Sequence, residues 1–422
     1  LLFCCARKCP PLIIEHAQKI ISCIYDNDSS VQNVAVTLLL ELHGKIDFKP
    51  IIGDLIKLFQ NCSDNWLMIK ILKILSVVEL SHKHLKIIEQ RIIAIYDGTT
   101  AYSVLFECIR LAYMRCHKNS ILMETSAKKL RKFLSHQDLN LQYMALKTLR
   151  EVINTNRDVV VSMKNDISAL LRSSDIAIRY ESVRIFSLLV NKTNLKSIVS
   201  LMSNLIKHSS KTSQIDEEFV DKIIEQIIQI SSQDNYSYIS NFEWYVDVML
   251  DLIVVSMGSI KNKSGSLIAS EFLCISLRVP AIRPYLVINL EKFLTKINGT
   301  TALSLPTYST LLQNIVWICG EYVEHNRDPY QLLVDLQRSW VFFLSTEAQS
   351  AILHSILKII SFLLFLQKDM ERVAFLVRNS FNHFRHYAYG CALQPQERVD
   401  LSYNFKGMLL YVSVGNHTGR AL

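Results

Sequence analysis

Glycine and proline are scarce in this chain. Its 422 residues include 11 and 8 of them, with no proline between Pro50 and Pro280 and no glycine between Gly98 and Gly258. These residues punctuate sheets and tight turns, so their absence argues against a strand-rich domain here and predicts helix after helix. Charge of one sign is also in short supply. Lys and Arg number 46 against 38 Asp and Glu, a net +8, which excludes a histone-like binder and implies only a mild attraction to acidic surfaces. Long uninterrupted apolar runs are missing as well. The most apolar tract, Ile356 to Leu366, contains Lys358 and covers about a dozen residues, short of the roughly 20 that span a bilayer. It reads as a buried helix. The chain begins at Leu1 rather than Met and shows no charged region, apolar core and small-residue site of a signal peptide; it reads as a fragment.

What is present is packing material. Apolar residues make up 50% of the chain, which excludes a disordered polymer. The length admits either two or three globular units or one repeat array. Ten cysteines, among them Cys23, Cys62, Cys108, Cys274 and Cys319, are scattered through apolar surroundings, a pattern that suits reduced thiols in the cytosol. The sequons at Asn191 and Asn298 occur at chance frequency and predict no glycosylation.

Apolar residues recur at helical spacing, as in Phe219, Val220, Ile223, Ile224, Ile227 and Ile228, preceded by Asp216, Glu217 and Glu218 where carboxylates favour a helix N-terminus. A longer pattern also recurs. A polar capping residue is followed by apolar at +3, small or apolar at +7 and apolar at +8, with copies at Asp28, Asp64, Asp138 and Asp175 and a degenerate one at Thr99, whose +8 residue is Glu107. The intervals of 36, 35, 39 and 37 approach the roughly 40-residue period of HEAT and armadillo repeats. Each cap is expected to start the second helix of a pair, with +3, +7 and +8 facing the neighbouring pairs. Pro10 and Pro11 are expected at the entry to one first helix. The fold class is therefore all-α, a HEAT/armadillo-like α-solenoid of about ten stacked helix pairs. Lys261–Ser266 and Asn298–Thr301 read as longer connections, and Pro280, Pro284, Pro306 and Pro329 as helix boundaries. The last residues are polar and expected to be poorly ordered.

No motif of catalysis emerges. There is no glycine-rich phosphate loop and no nucleophile elbow. Cys4, Cys5 and Cys9, His82 with His84, and Cys108 with Cys116 and His117 each lack the second half of a metal site. No catalytic, cofactor-binding or metal residue is assigned, and no cofactor is expected. Tyr236, Tyr238, Phe242, Trp244 and Tyr245 could stack bases, but Asp234, Glu243 and Asp247 surround them instead of Lys or Arg, so they read as core and no nucleic-acid partner is expected. Lys128, Lys129, Arg131 and Lys132 read as the wet face of a helix.

Several words carry a resemblance. They are SQDNYSYISNFEWYVDVMLDL (232–252) with its NFEWY core, SDNWLMIKILKIL (63–75), YSVLFECI (102–109), DLNLQYMAL (138–146), LRVPAIR (277–283) and WICGEYVEH (317–325). In this order they resemble the delta-type large chains of the adaptin family, over roughly residues 8–325 and more faintly 395–398. The ending after Gln396 departs from the family pattern. The resemblance implies a trunk solenoid over residues 1–395, truncated at its N-terminus with Leu1, Leu2 and Phe3 at a cut apolar edge, and a separate tail over 396–422. It implies a non-enzymatic scaffold of adaptor protein complex 3. The implied partners are a beta-type large chain, a medium (mu) chain and a small sigma chain in a heterotetramer. Cargo tails and an Arf-type GTPase would be met through the assembled complex, and an anionic membrane peripherally, on the cytosolic face of Golgi and endosomal membranes. The implied process is sorting toward lysosomes and related organelles. Another adaptin, a coatomer large chain or a karyopherin-like carrier is the alternative; an enzyme would need a convergent polar pocket.

Overall fold

The computed structural model describes residues 2–209, 217–256, 264–297, 306–338, 340–341, 344–367, 369–390 and 407. Among them there are helices and turns and no strands. The expected tail, residues 396–422, lies outside the described residues apart from Gly407, as do Leu1, Asp216, Lys261–Lys263 and Asn298–Thr301. The chain divides into two compact units, residues 1–189 and 190–422.

The first unit holds α1 (Leu2–Lys8), α2 (Pro10–Ile14), α3 (Ala17–Ser22), α4 (Ser29–Glu41), α5 (Ile52–Asn61), α6 (Asn65–Val77), α7 (His82–Gly98), α8 (Tyr102–Arg115), α9 (Ser120–Leu134), α10 (Leu139–Val152), α11 (Arg157–Ser162), α12 (Lys164–Leu170) and α13 (Ile176–Leu188). The expected helix after Pro10 is in fact broken at Glu15 and His16 into α2 and α3. Five helix pairs form: α3 with α4, α5 with α6, α7 with α8, α9 with α10 and α12 with α13. The second helices α4, α6, α8, α10 and α13 lie side by side as one layer, called the B layer below. In the other layer α5 packs on α7 and α9 on α12.

The capping pattern explains where the B helices start. The carboxylates of Asp28, Asp64, Asp138 and Asp175 accept hydrogen bonds from the N–H groups of Ser30, Trp66, Asn140 and Ala177 at 2.8, 2.9, 2.8 and 2.7 Å. Each satisfies one of the orphan donors of a helix start. The small or apolar +7 and +8 residues, such as Ala35 and Val36 or Ala145 and Leu146, are buried.

Thr99 is the exception. It accepts only from Ala101 N (3.2 Å), and Ala101, which has no side-chain cap, is the residue that opens α8. Shifting that copy to Ala101 places Val104, Cys108 and Ile109 at +3, +7 and +8, all fully buried. The starts 28, 64, 101, 138 and 175 then fall 36, 37, 37 and 37 residues apart.

The second unit holds α14 (Leu195–Ser209), α15 (Glu217–Ser231), the one-turn element α16 (Gln233–Tyr236), α17 (Phe242–Ser256), α18 (Ser264–Arg278), α19 (Arg283–Ile297), α20 (Pro306–Glu321), α21 (Pro329–Leu336), α22 (Thr346–Leu366) and α23 (Met370–Gly390). It repeats the two-layer plan. α15, α18, α20 and α22 form one layer, α14, α17, α19 and α21 the other, and α23 packs on α22. With its four pairs the described residues hold nine pairs against the ten expected. Pro306 and Pro329 open α20 and α21, and Pro284 is the second residue of α19, where a missing N–H costs nothing. One expectation fails: Ser264, Gly265 and Ser266 belong to the first turn of α18 and not to a connection, because Asp221 accepts hydrogen bonds from both Ser264 N and its hydroxyl.

α22 is longer than the apolar tract that announced it. Its 21 residues are long and apolar enough to cross a membrane, yet half of its apolar window is buried inside the protein against α20, α21 and α23.

Candidate interaction surface

Among the described residues no three His, Cys, Asp or Glu converge to hold a metal ion. Cys108, Cys116 and Cys319 are buried, Cys4 and Cys9 exposed, and all nine described cysteines are free. Burial pushes the thiols of Cys62, Cys108, Cys116 and Cys319 upward, that of Cys116 to about 12. They stay protonated and act as small apolar fillers. Asn191 of the first sequon is engaged in its own turn, where its side-chain oxygen accepts from Thr193 and Asn194.

Two of the four clustered cations of α9 tie it to neighbouring helices. Lys129 Nζ donates to Tyr96 O on α7 (2.6 Å), Arg131 Nε to Asp166 on α12 (3.1 Å), and Lys128 pairs with Glu124 of its own helix at 2.7 Å. Lys128, Arg131 and Lys132 are all exposed, as a wet helix face requires.

The aromatic cluster is anchored on a buried carboxyl. Tyr245 Oη donates to Glu271 Oε1 on α18 at 3.0 Å, and Tyr236 bonds to the same carboxyl. Burial holds Glu271 above the ordinary carboxylate range, against the pull of both phenols and of Arg278. Asp234, Asn235 and Tyr236 turn with φ of 48°, 55° and 64°, a left-handed conformation that Asp and Asn tolerate and a tyrosine resists. The Glu271 bond and the burial of its ring hold Tyr236 there. Trp244 is half-buried with Lys196 Nζ 5.5 Å from its ring. These rings are occupied by the protein itself.

A second joint gathers around the end of α20. A methyl group on Gly320 would stand 2.7 Å from Cβ of Ser355 on α22, so the two helices approach only because that residue is glycine. Ser355 Oγ donates to Val316 O (3.0 Å). Lys358 pairs with Glu321 and lies 5.3 Å from the Trp317 ring. Arg283 stacks over Tyr322 at 4.5 Å and, with the Tyr322 hydroxyl, donates to Ser276 O at the end of α18.

Charge is most one-sided on the B layer of the first unit. α6, α8, α10 and α13 carry eight Lys and Arg against three Glu. The three carboxylates knit the helices: Lys73 to Glu107 at 3.6 Å, Arg110 to Glu151 at 2.8 Å and Arg150 to Glu181 at 3.3 Å, with Arg184 on Glu181 at 3.2 Å. Burial holds the Glu107 carboxyl up, against Lys73 and Arg110. Last-turn carbonyls are satisfied across the joints, Ser76 O by Arg115 (2.8 Å) and Tyr113 O by Asn156 (3.0 Å). These four helices carry five more cations than carboxylates. Residues 1–189 as a whole carry a net +7, and residues 190–422 only +1.

The family described as the adaptin N terminal region matches residues 2–386. The chain belongs to the adaptin family. This adaptin is 29% identical over 350 residues to the bovine (Bos taurus) AP-3 complex subunit delta-1, covering 79% of this chain and 28% of that one. It is 29% identical over 373 residues to the AP-3 complex subunit delta of Schizosaccharomyces pombe, covering 82% and 44%. The adaptin chain thus spans less than half the length of these relatives. A structure described as a homology model of the full-length AP-3 complex in an intermediate open conformation superposes with a TM-score of 0.63 at 22% identity, over 98% of this chain and 77% of that one. It has the same fold.

The adaptin-like words of the sequence fall on the joints. NFEWY supplies Tyr245 and, in Asn241, the cap that accepts from Trp244 N at 3.2 Å. LRVPAIR and WICGEYVEH meet through Arg283 and Tyr322. Their residues set how neighbouring pairs sit, and sequence reasoning left that role unassigned.

Proposed function

We propose that this chain is the trunk of a delta-type large subunit of adaptor protein complex 3, a non-catalytic scaffold in a vesicle coat. The observation that carries this reading is the alignment of most of the chain with relatives named as AP-3 delta subunits in two distant organisms. A stack of helix pairs suits the task, since each pair adds a stretch of binding surface and large permanent interfaces hold an obligate assembly. The trunk, residues 1–395, holds a beta-type large chain, a medium chain and a small sigma chain. Cargo tails and an Arf-type GTPase are met through the assembled complex. It works on the cytosolic face of Golgi and endosomal membranes, with the positive first unit favouring an anionic leaflet. The work done is sorting toward lysosomes and related organelles.

Affinity purification of the full-length tagged protein from its own cells, with partners identified by mass spectrometry, tests the proposal. Stoichiometric beta, medium and sigma chains of AP-3 are expected. Recovery of another coat's subunits, or of the chain alone, would overturn it.

A further inference from the structure

Four cations of the B layer are in register. Counting nine residues on from the caps Asp64, Ala101, Asp138 and Asp175 lands on Lys73, Arg110, Lys147 and Arg184. Each therefore sits at the same point of its helix, and the four form a row running across α6, α8, α10 and α13, which pack in that order. Lys147 is exposed and makes no ion pair among the described residues; Lys73, Arg110 and Arg184 are each paired with a carboxylate yet keep 40%, 30% and 55% of their side chains in solvent. Exposed apolar side chains border the row: Trp66, Val77, Met144 and Leu188.

We propose that this row binds an extended acidic segment of another polypeptide, in polyproline II conformation, with a carboxylate at every third residue. Spacing selects the conformation. Packed helices stand about 8–10 Å apart. A polyproline II chain brings every third residue back to the same side after about 9 Å, so residues i, i+3, i+6 and i+9 each meet one cation. An α-helix would need about seven residues for the same advance. The residues between the carboxylates fall on the apolar border.

The carboxylates of Glu107, Glu151 and Glu181 decide against other polyanions. Glu107 bridges Lys73 and Arg110, while Glu151 pairs with Arg110 and Glu181 with Arg184; negative charge set along the row disfavours a continuous line of phosphates, as in nucleic acid or a headgroup plane, more than an occupant with discrete, spaced charges. The inference needs only the first unit's geometry and does not depend on the AP-3 assignment.

Fluorescence anisotropy with the full chain and labelled 16-residue proline-rich peptides tests it. One peptide carries Glu at every third position, and a control of equal composition has the same Glu residues in one block. The spaced peptide is expected to bind more tightly than the block. Lys147→Glu is expected to weaken it about fivefold, the scale of an exposed charge pair, while Lys83→Glu on α7 leaves it unchanged. Equal binding of the two peptides, or equal effects of the two substitutions, overturns the proposal. So does Lys147-dependent binding of phosphatidylserine vesicles or an oligonucleotide in preference to the spaced peptide.

Discussion

At Gly320 a single methyl group has no room, because Ser355 Cβ, Oγ and Cα all stand within 3 Å of where it would go. Gly320→Ala is expected to force α20 and α22 apart at a cost of about 1–3 kcal/mol, the usual range for overpacking; thermal unfolding of the variant beside the parent checks it, and an unchanged midpoint refutes it. Glu271 gives a prediction with a pH signature. Its folded-state pKa is raised by burial, so between the unfolded and folded values the native chain holds more protons than the unfolded one. Its contribution is fully present below the unfolded pKa and declines as pH rises through the folded one. Glu271→Gln removes that decline. Relative to the parent, the variant's urea midpoint is expected to improve as pH rises from about 4.5 to 7, starting at the ordinary carboxylate range. A difference independent of pH would assign Glu271 a purely steric role. Neither residue was legible in the sequence as important. Gly320 is one glycine in a helix, and Glu271 meets Tyr245 from 26 positions away.

Among the elements, the B helices were the most legible, since an aspartate cap and a fixed apolar register announce four of the five starts. The fifth start was misread for a physical reason. α8 begins without a side-chain cap, so the nearest polar residue, Thr99, stood in for it two positions early. The missing cap predicts a gain. Ala101 already has the extended backbone of a capping residue, and Ala101→Asp is expected to stabilise the chain by about 1 kcal/mol, read as a higher urea midpoint at constant slope. A loss of stability would mean that Ala101 does not begin the helix. The break at Glu15 and His16 was hidden because the apolar spacing runs through it. The turn at Gln233–Tyr236 was hidden because three successive left-handed residues without glycine have no sequence signal.

For the molecule as a whole, the repeat period and the scarcity of glycine and proline carried the all-helical solenoid class, and the resemblance words carried the family. The interaction surface was much less legible. The net +8 looked diffuse along the sequence and its densest cluster pointed to α9, two of whose four cations are spent on neighbouring helices. The in-register row emerges only after Ala101 replaces Thr99 as the start of its repeat, because the earlier register places Cys108 rather than Arg110 at the ninth position. We propose above that this chain helps build an AP-3-type coat. The most direct measurement is co-expression of the full-length protein with the beta, medium and small chains of both AP-3 and AP-1, followed by native mass spectrometry of the purified assembly. A heterotetramer drawn wholly from the AP-3 chains is the predicted result. Assembly with the AP-1 chains, or with neither set, would contradict the account.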